Sequence, residues 1–493
     1  MTTTKTPSLI DALLPIGALI VLLGLSVYLF GDSSSSGPNQ IALTLCAGIG
    51  ALVCIKNGHA WDNVLAAIIK GISTAMGAIL ILLSVGGLIG TWLMAGTVPS
   101  LIYYGLEILN PQWFYAAACF ICLVASLATG SSWTVAGTLG VALIGVAMGL
   151  GLSPAIAAGA IVSGAYFGDK MSPLSDSTNL APAVVGTDLF RHIRHMLWTT
   201  GPSISIALVL FAAIGLRADI DTAAQADTLN TLSSTLSAQF NISAWTLIPM
   251  VVVFAMAYRK FPPLPTILLG ALLGGAVAVL LQPDVVLSFA NSPDLPPALA
   301  MLKGVWIALS DGYVASTGVT EVDELLSNGG MSSMLVTIWL ILTALTFGAV
   351  LEYGGMLKRL IESAIRGARS TGSLVFTVVV SAIGINIVAA DQYIAIVLPG
   401  RMFKAEFKRR GLAPHNLSRV IEDSGTLTSP LIPWNTCGAY MSATLGVATL
   451  AYLPFAFFNL INPLMSILYG FTGFTMERLD DDDSAIDRPG QPA

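Results

Sequence analysis

From Ile108 to Gly168 the chain contains no Asp, Glu, Lys or Arg, and the same is true from Ser424 to Met476. Each stretch is too long for a single membrane-crossing helix of about 20 residues. Each is also cut by glycine, proline and hydroxyl residues. A run of this kind has few ways to fold. It forms several helices in lipid, with broken or re-entrant backbone where the cuts fall. Such backbone survives at membrane depth only where protein buries it or a wet cavity solvates it, because lipid offers no hydrogen bonds.

Composition points the same way. Hydrophobic residues are 55% of the 493, charged residues 10%, and the mean hydropathy is +0.79. Soluble domains carry about 25% charged residues. A net charge of −6 and a pI near 5.2 argue against nucleic acid, which calls for a basic face. Part of the acidity is Asp480 to Asp483, read as a solvated tail. Cys46, Cys54, Cys119, Cys122 and Cys437 all lie in apolar stretches. Cys119 and Cys122 form a CxxC by spacing, but no second pair or nearby histidine completes a zinc site, so they are read as packing residues. Ala12 to Gly31 is too long for a signal-peptide core and is read as a first span.

Thirteen spans are expected: 10–30, 41–55, 71–95, 113–128, 132–150, 152–167, 196–216, 244–258, 263–282, 331–352, 373–389, 391–403 and 454–475. The fold class is therefore an all-α polytopic membrane protein of about 12–13 transmembrane helices. Basic residues stay on the cytoplasmic side. Lys5, Lys56, Lys70, Arg191, Arg194, Arg259, Lys260, Lys358 to Arg369 and Lys404 to Arg410 are assigned there. Both termini are then cytoplasmic, with a bacterial inner membrane as the setting.

The chain also repeats itself. KGISTAMGAILIL around Gly71 resembles NGGMSSMLVTIWL from Asn328. Gly96 matches Gly354, Leu152 matches Leu412, and GDKMSPLSDSTN at Gly168 matches GTLTSPLIPWNT at Gly425, with spacings of 258, 258, 260 and 257. The basic loops of the second copy correspond to uncharged loops of the first, so the repeats are expected to be inverted. The organisation read from this is an N-terminal segment 1–70, a first repeat 71–216, a connector 217–327 with about two spans and an outside loop, a second repeat 328–476 and an acidic cytoplasmic tail 477–493. Inverted repeats place a transporter's site at their interface, near the bilayer midplane, and build it from broken helices.

Gly168 to Asn179 is one such break. It holds Asp169, Lys170 and Asp176 together with Ser172, Ser175, Thr178 and Asn179. Ionisable groups at membrane depth are costly unless paired, hydrated or ion-bound, and they mark function. Carboxylate, hydroxyl, amide and carbonyl oxygens suit a hard cation. A carboxylate holds either a cation or a proton, so exclusive binding yields exchange. Asp176 and Asp391 lead the candidates. Asp391 stands alone in INIVAADQYIAIVLPG, with no basic residue within nine positions. Asp169 is next; its alternative is an ion pair with Lys170. The alternative for Asp176 is a cap on a helix starting near Asn179. Thr129, Ser131 and Ser132 are candidate hydroxyl ligands, Ser131 being the repeat partner of Asp391. In the second break, Thr428, Ser429, Asn435 and Thr436 are candidate neutral ligands. Of Glu422 and Asp423, one is a site residue and the other pairs with Arg419; Asp423 is the one carried forward.

GDKMSPLSDSTNLAP from Gly168, EDSGTLTSPLIPWNTCGAY from Glu422 and ATGSSWTVAGTLG from Ala128 resemble the signature stretches of the NhaC family of sodium/proton antiporters. The resemblance runs from about Gly71 to Tyr469. It implies paired five-helix inverted repeats with helical hairpins, Na+ and H+ as transported ions, no cofactor and a homodimer. The family includes a malate–lactate exchanger coupled to sodium and protons, so an organic-acid or amino-acid exchanger is the alternative function, with Lys170 as its anion partner. An enzyme is not expected: the chain has no HExxH, no GxSxG and no Ser/Lys or Ser/His constellation. A channel is disfavoured by the inverted repeat with midplane acids.

Overall fold

The computed structural model describes residues 4–217 and 222–479. Asp480 to Asp483 and most of the tail lie outside the described residues. Among those described, the structure is helical throughout, and the only β contacts are two isolated bridges, Tyr313–Asn328 and Leu412–Arg478.

Among the described residues nine helices are long and apolar enough to cross a membrane, and two bent pairs bring the number to eleven. The bent pairs are 229–239 with 244–258, at 87°, and 449–455 with 457–472, at 58°. All thirteen expected spans coincide with a helix. Two of them, 152–167 and 391–403, fall on the helices Pro154–Met171 and Gln392–Arg409. Both carry charges toward their C-terminal ends: Asp169 and Lys170, buried, on the first, and Arg401, Lys404, Lys408 and Arg409, exposed, on the second.

Two boundaries differ from expectation. The span placed at 71–95 begins at Met76, because 61–74 is a separate helix, Trp61–Thr74, that buries only Val64. That helix carries Asp62 and Lys70 and lies on the surface of the bundle. The outside loop expected in the connector 217–327 contains three short helices, Pro283–Ala290, Pro297–Ser310 and Thr320–Leu326.

Small residues set the closest helix contacts, as in other membrane bundles. The helices Phe114–Thr129 and Pro154–Met171 approach so closely that a Cβ on Gly168 would stand 2.1 Å from the Ser126 carbonyl carbon. Ser126 Oγ bridges the pair, accepting from the Gly168 N–H at 3.0 Å and donating to the Gly164 carbonyl at 2.9 Å. Cys119 and Cys122 are buried, free and packed against Gly164. Gly270 lies against Trp92, whose Nε1 donates to the Gly270 carbonyl at 3.0 Å.

Candidate functional site

The break after Asp169 follows from one residue. In an uninterrupted helix the Asp169 carbonyl would accept from the N–H of residue 173. Residue 173 is proline and has no N–H. Proline also drives the residue before it into extended backbone, and Ser172 has φ −80° and ψ 129°. The helix Pro154–Met171 therefore stops, and the next, Asp176–Val185, starts after Ser175. The orphaned carbonyl is not left bare. Ser175 Oγ, Ser177 Oγ and Thr178 Oγ1 all donate to it, at 2.7, 2.8 and 2.6 Å. Ser172 Oγ donates to the Leu127 carbonyl at 2.9 Å, and Asn179 Nδ2 donates to the carbonyls of Pro173 and Ser175. Much of the hydroxyl content of this segment thus holds the break open.

Facing it is the turn between Phe114–Thr129 and the helix that begins at Ser132. Gly130 has φ 70°, and a Cβ there would lie 2.7 Å from the Leu174 backbone carbon. Ser131 caps the new helix, its Oγ accepting from the Thr134 N–H. Ser132 then gives both its N–H, at 3.0 Å, and its Oγ, at 2.5 Å, to the Asp169 carboxylate. A helix N-terminus is a natural anion seat, so Asp169 is held where it has donors on one side and space on the other.

The second half of the chain has the same construction. Ala390 has φ 57°, Asp391 caps the helix Gln392–Arg409 by accepting from the Ile394 N–H at 2.9 Å, and Gln392 Oε1 accepts from Ser429 Oγ at 2.8 Å. Gly130 and Ala390, Ser131 and Asp391, Ser132 and Gln392, and Asp169 and Ser429 are all 260 positions apart. So are the left-handed residues Gly151 and Gly411, and Gly186 and Gly446. The Ser-Pro-Leu match at 257 is therefore three residues out of register with the helix caps.

These turns border one cavity of about 760 Å³. Asp169, Asp176 and Asp391 line it, with Thr129, Ser131, Ser175, Asn179 and Thr436. Asp169 and Asp391 are each 9% exposed, whereas Asp176 is exposed. Asp176 is the first residue of its helix and Ser175 is the N-cap, so the expected capping role near Asn179 is not the one it has. Thr436 N–H donates to the Ala390 carbonyl at 3.0 Å, joining the second break to the turn before Asp391.

Several candidates lie off the cavity wall. Asn435 caps the helix Thr436–Leu445 and donates to Asn386. Thr428 Oγ1 accepts from Asn386 and donates to the Ser424 carbonyl. Ser132, Ser172, Thr178 and Ser429 support the breaks from behind through the bonds already described. Lys170 is neither paired with Asp169 nor turned to the cavity. It is fully buried, forms an ion pair with Asp423 and reaches Asn462 Oδ1 at 3.1 Å. Arg419 bonds Thr475 and Met476, so it is not the partner of Asp423. Gln392 and Tyr393, both on the cavity wall, were not singled out from sequence; their signal was a polar pair directly after Asp391 in an apolar run.

A profile of the Na+/H+ antiporter family matches residues 164–474, which include both breaks. The chain is 41% identical to the Na(+)/H(+) antiporter NhaC of Alkalihalophilus pseudofirmus over 88% of its own length and 90% of the relative's. It belongs to the NhaC family of Na+/H+ antiporters. Other members are similar along nearly the whole chain. The malate-2H(+)/Na(+)-lactate antiporter of Bacillus subtilis is 37% identical over 96% of each chain. The arginine/ornithine antiporter ArcD of Halobacterium salinarum is 35% identical over 97% of this chain and 95% of that one. The named relatives of this NhaC-family chain are transporters, not enzymes, and its helices are those of an integral membrane protein.

Proposed function

We propose that this chain exchanges Na+ for H+ across a bacterial inner membrane by alternating access, with both termini cytoplasmic. Asp169, Asp391 and Asp176 are the anionic ligands of the sodium ion, and Thr129, Ser131, Asn179 and Thr436 supply neutral oxygens. The observation that carries this reading is the meeting of three aspartates from both halves of the chain at one cavity. Among its described lining residues the only basic one is Lys260, so the wall favours a cation. The 260-residue recurrence of left-handed turns and helix caps supports two repeats, 71–216 and 328–476, and the basic loops support their inverted orientation.

The test is intravesicular pH in proteoliposomes given a sodium gradient, with malate, lactate and amino acids absent. A pH change that follows the gradient and disappears in Asp391→Asn supports the proposal. No change until an organic solute is added moves the chain to an organic exchanger. That second reading is favoured by the cavity volume, which exceeds what one bare ion needs. It loses Lys170 as anion partner, because Lys170 is engaged with Asp423 away from the cavity.

A further inference from the structure

Behind the wall of the cavity lies a second polar cluster. Lys170 comes from Pro154–Met171, Thr199 from Leu189–Leu216, Glu422 and Asp423 from the π-helical turn Glu422–Thr426, and Asn459 and Asn462 from Phe457–Thr472. All six are 0% exposed. Asp423 Oδ1 accepts from Lys170 Nζ and from Thr199 Oγ1. Glu422 Oε1 accepts from Thr426 Oγ1 at 2.9 Å, and Glu422 Oε2 has no hydrogen-bond partner.

The charges do not balance. One ammonium faces two carboxylates, and the ammonium is bonded to Asp423. The other ionisable groups around the cluster are Asp169, Arg419 and His192. Arg419 is turned to Thr475 and Met476, and His192 bonds Ser418. Burying an uncompensated charge is strongly unfavourable. A single proton on Glu422 makes the cluster neutral. Ser177 stands between the cluster and the cavity: it is beside the Glu422 carboxyl and also lines the cavity.

Taking the antiporter reading as given, we propose that Glu422 is the carrier of the transported proton, held in the Lys170–Asp423 cluster, and that Ser177 passes that proton to cavity water. In the release step the Glu422 O–H bond breaks and the proton goes to the Ser177 oxygen. The Ser177 hydroxyl, turned away from the Asp169 carbonyl that Ser175 and Thr178 continue to hold, gives its own proton to a cavity water. Glu422 is left as a carboxylate beside the Lys170 ammonium until it is reprotonated from the other side of the membrane. The sodium ligands and the proton carrier are then different groups, coupled through the segment 175–178.

The test compares two readouts in proteoliposomes, sodium-driven pH change and sodium–sodium counterflow. Glu422→Gln is expected to lower the sodium-driven pH change by about a hundredfold, the size of effect seen when a positioned proton-transfer group is removed, while counterflow persists. Glu422→Asp, which keeps a carboxyl group, is expected to restore part of the pH response. Ser177→Ala is expected to slow the pH response more than it slows counterflow, because the Asp169 carbonyl keeps its bonds from Ser175 and Thr178. An undiminished pH response in Glu422→Gln, with the wild-type pH profile, overturns the proposal. So does loss of counterflow together with the pH response in both Glu422 variants, which would give Glu422 a structural role. A wild-type protein with neither readout refutes the antiporter reading itself, which separates the two failures.

Discussion

Ser132 binds Asp169 twice, through its backbone N–H at 3.0 Å and its hydroxyl at 2.5 Å, and 260 positions later Gln392 and Ser429 make the corresponding contact at 2.8 Å. The acid of the first half is replaced by a hydroxyl in the second. The acid of the second half, Asp391, is replaced by Ser131 in the first. Each half thus brings one buried carboxylate to the cavity from a different position of the same framework, and the two are complementary rather than duplicated.

Asp169→Asn and Asp391→Asn are each expected to abolish sodium-driven pH change in proteoliposomes while the folded protein is still recovered from the membrane. Each substitution keeps the size of the side chain and removes the charge that a cation needs. Exchange that persists in either variant removes that residue from the ligand set. Asp176→Asn, at the exposed part of the wall, is expected to raise the sodium concentration for half-maximal exchange and is read in the same assay.

Ser132→Ala removes the hydroxyl donor to Asp169 and keeps the backbone donor. A hydrogen bond to a charged group contributes about 1.5–3 kcal/mol. Sodium binding measured by calorimetry is expected to weaken by about tenfold or more, each 1.4 kcal/mol being a factor of ten. Unchanged affinity would mean that the hydroxyl does not position the carboxylate.

Pro173→Ala restores the N–H that the Asp169 carbonyl lacks. The helix Pro154–Met171 can then continue, competing with the three hydroxyl donors from Ser175, Ser177 and Thr178. Thermal stability in detergent is expected to hold or rise while exchange falls. Full exchange in this variant would show that the break does not depend on the proline.

Gly130→Ala is expected to lower the melting temperature. A left-handed conformation costs a non-glycine residue about 1–2 kcal/mol, and the added Cβ would meet the Leu174 backbone at 2.7 Å. Because this contact joins the two turns, exchange should fall in parallel. A protein as stable and active as wild type would show that the turns can separate at no cost.

Lys170→Met leaves Asp423 buried without its counter-charge, which typically destabilises by about 3–5 kcal/mol. The double variant Lys170→Met with Asp423→Leu is expected to recover much of that loss in thermal unfolding, because replacing a whole buried pair by apolar groups is often neutral. No recovery would show that the pair does more than satisfy each other's charge.

Local chemistry is written in the chain where one or two residues decide it. Pro173 predicts the break at Asp169, and the structure has it. Thirteen apolar runs predict thirteen helices, because lipid leaves a backbone no other regular option at that length. An acid isolated in an apolar run, Asp391, marks itself as needing a partner or a ligand. Recurring motifs were legible too, at spacings of 257 to 260, but not that the helix caps and left-handed turns share the single spacing of 260. Ser-Pro-Leu recurs at 257 because it serves local turn chemistry, whereas the caps and left-handed turns recur at 260 because element length sets them.

What lies between distant segments was not legible. Lys170 has plausible partners next to it in sequence, yet its partner is Asp423, 253 positions away. Asp423 has Arg419 one helical turn away, yet Arg419 points to Thr475. The sequence by itself determined a polytopic helical chain, two broken segments and a short set of candidate acids. Only the tertiary structure decided which of those acids face the cavity and which are neutralised behind it. The physical reason is that pairing in a low-dielectric interior depends on which groups packing brings within about 3 Å of one another, and spacing along the chain does not carry that distance.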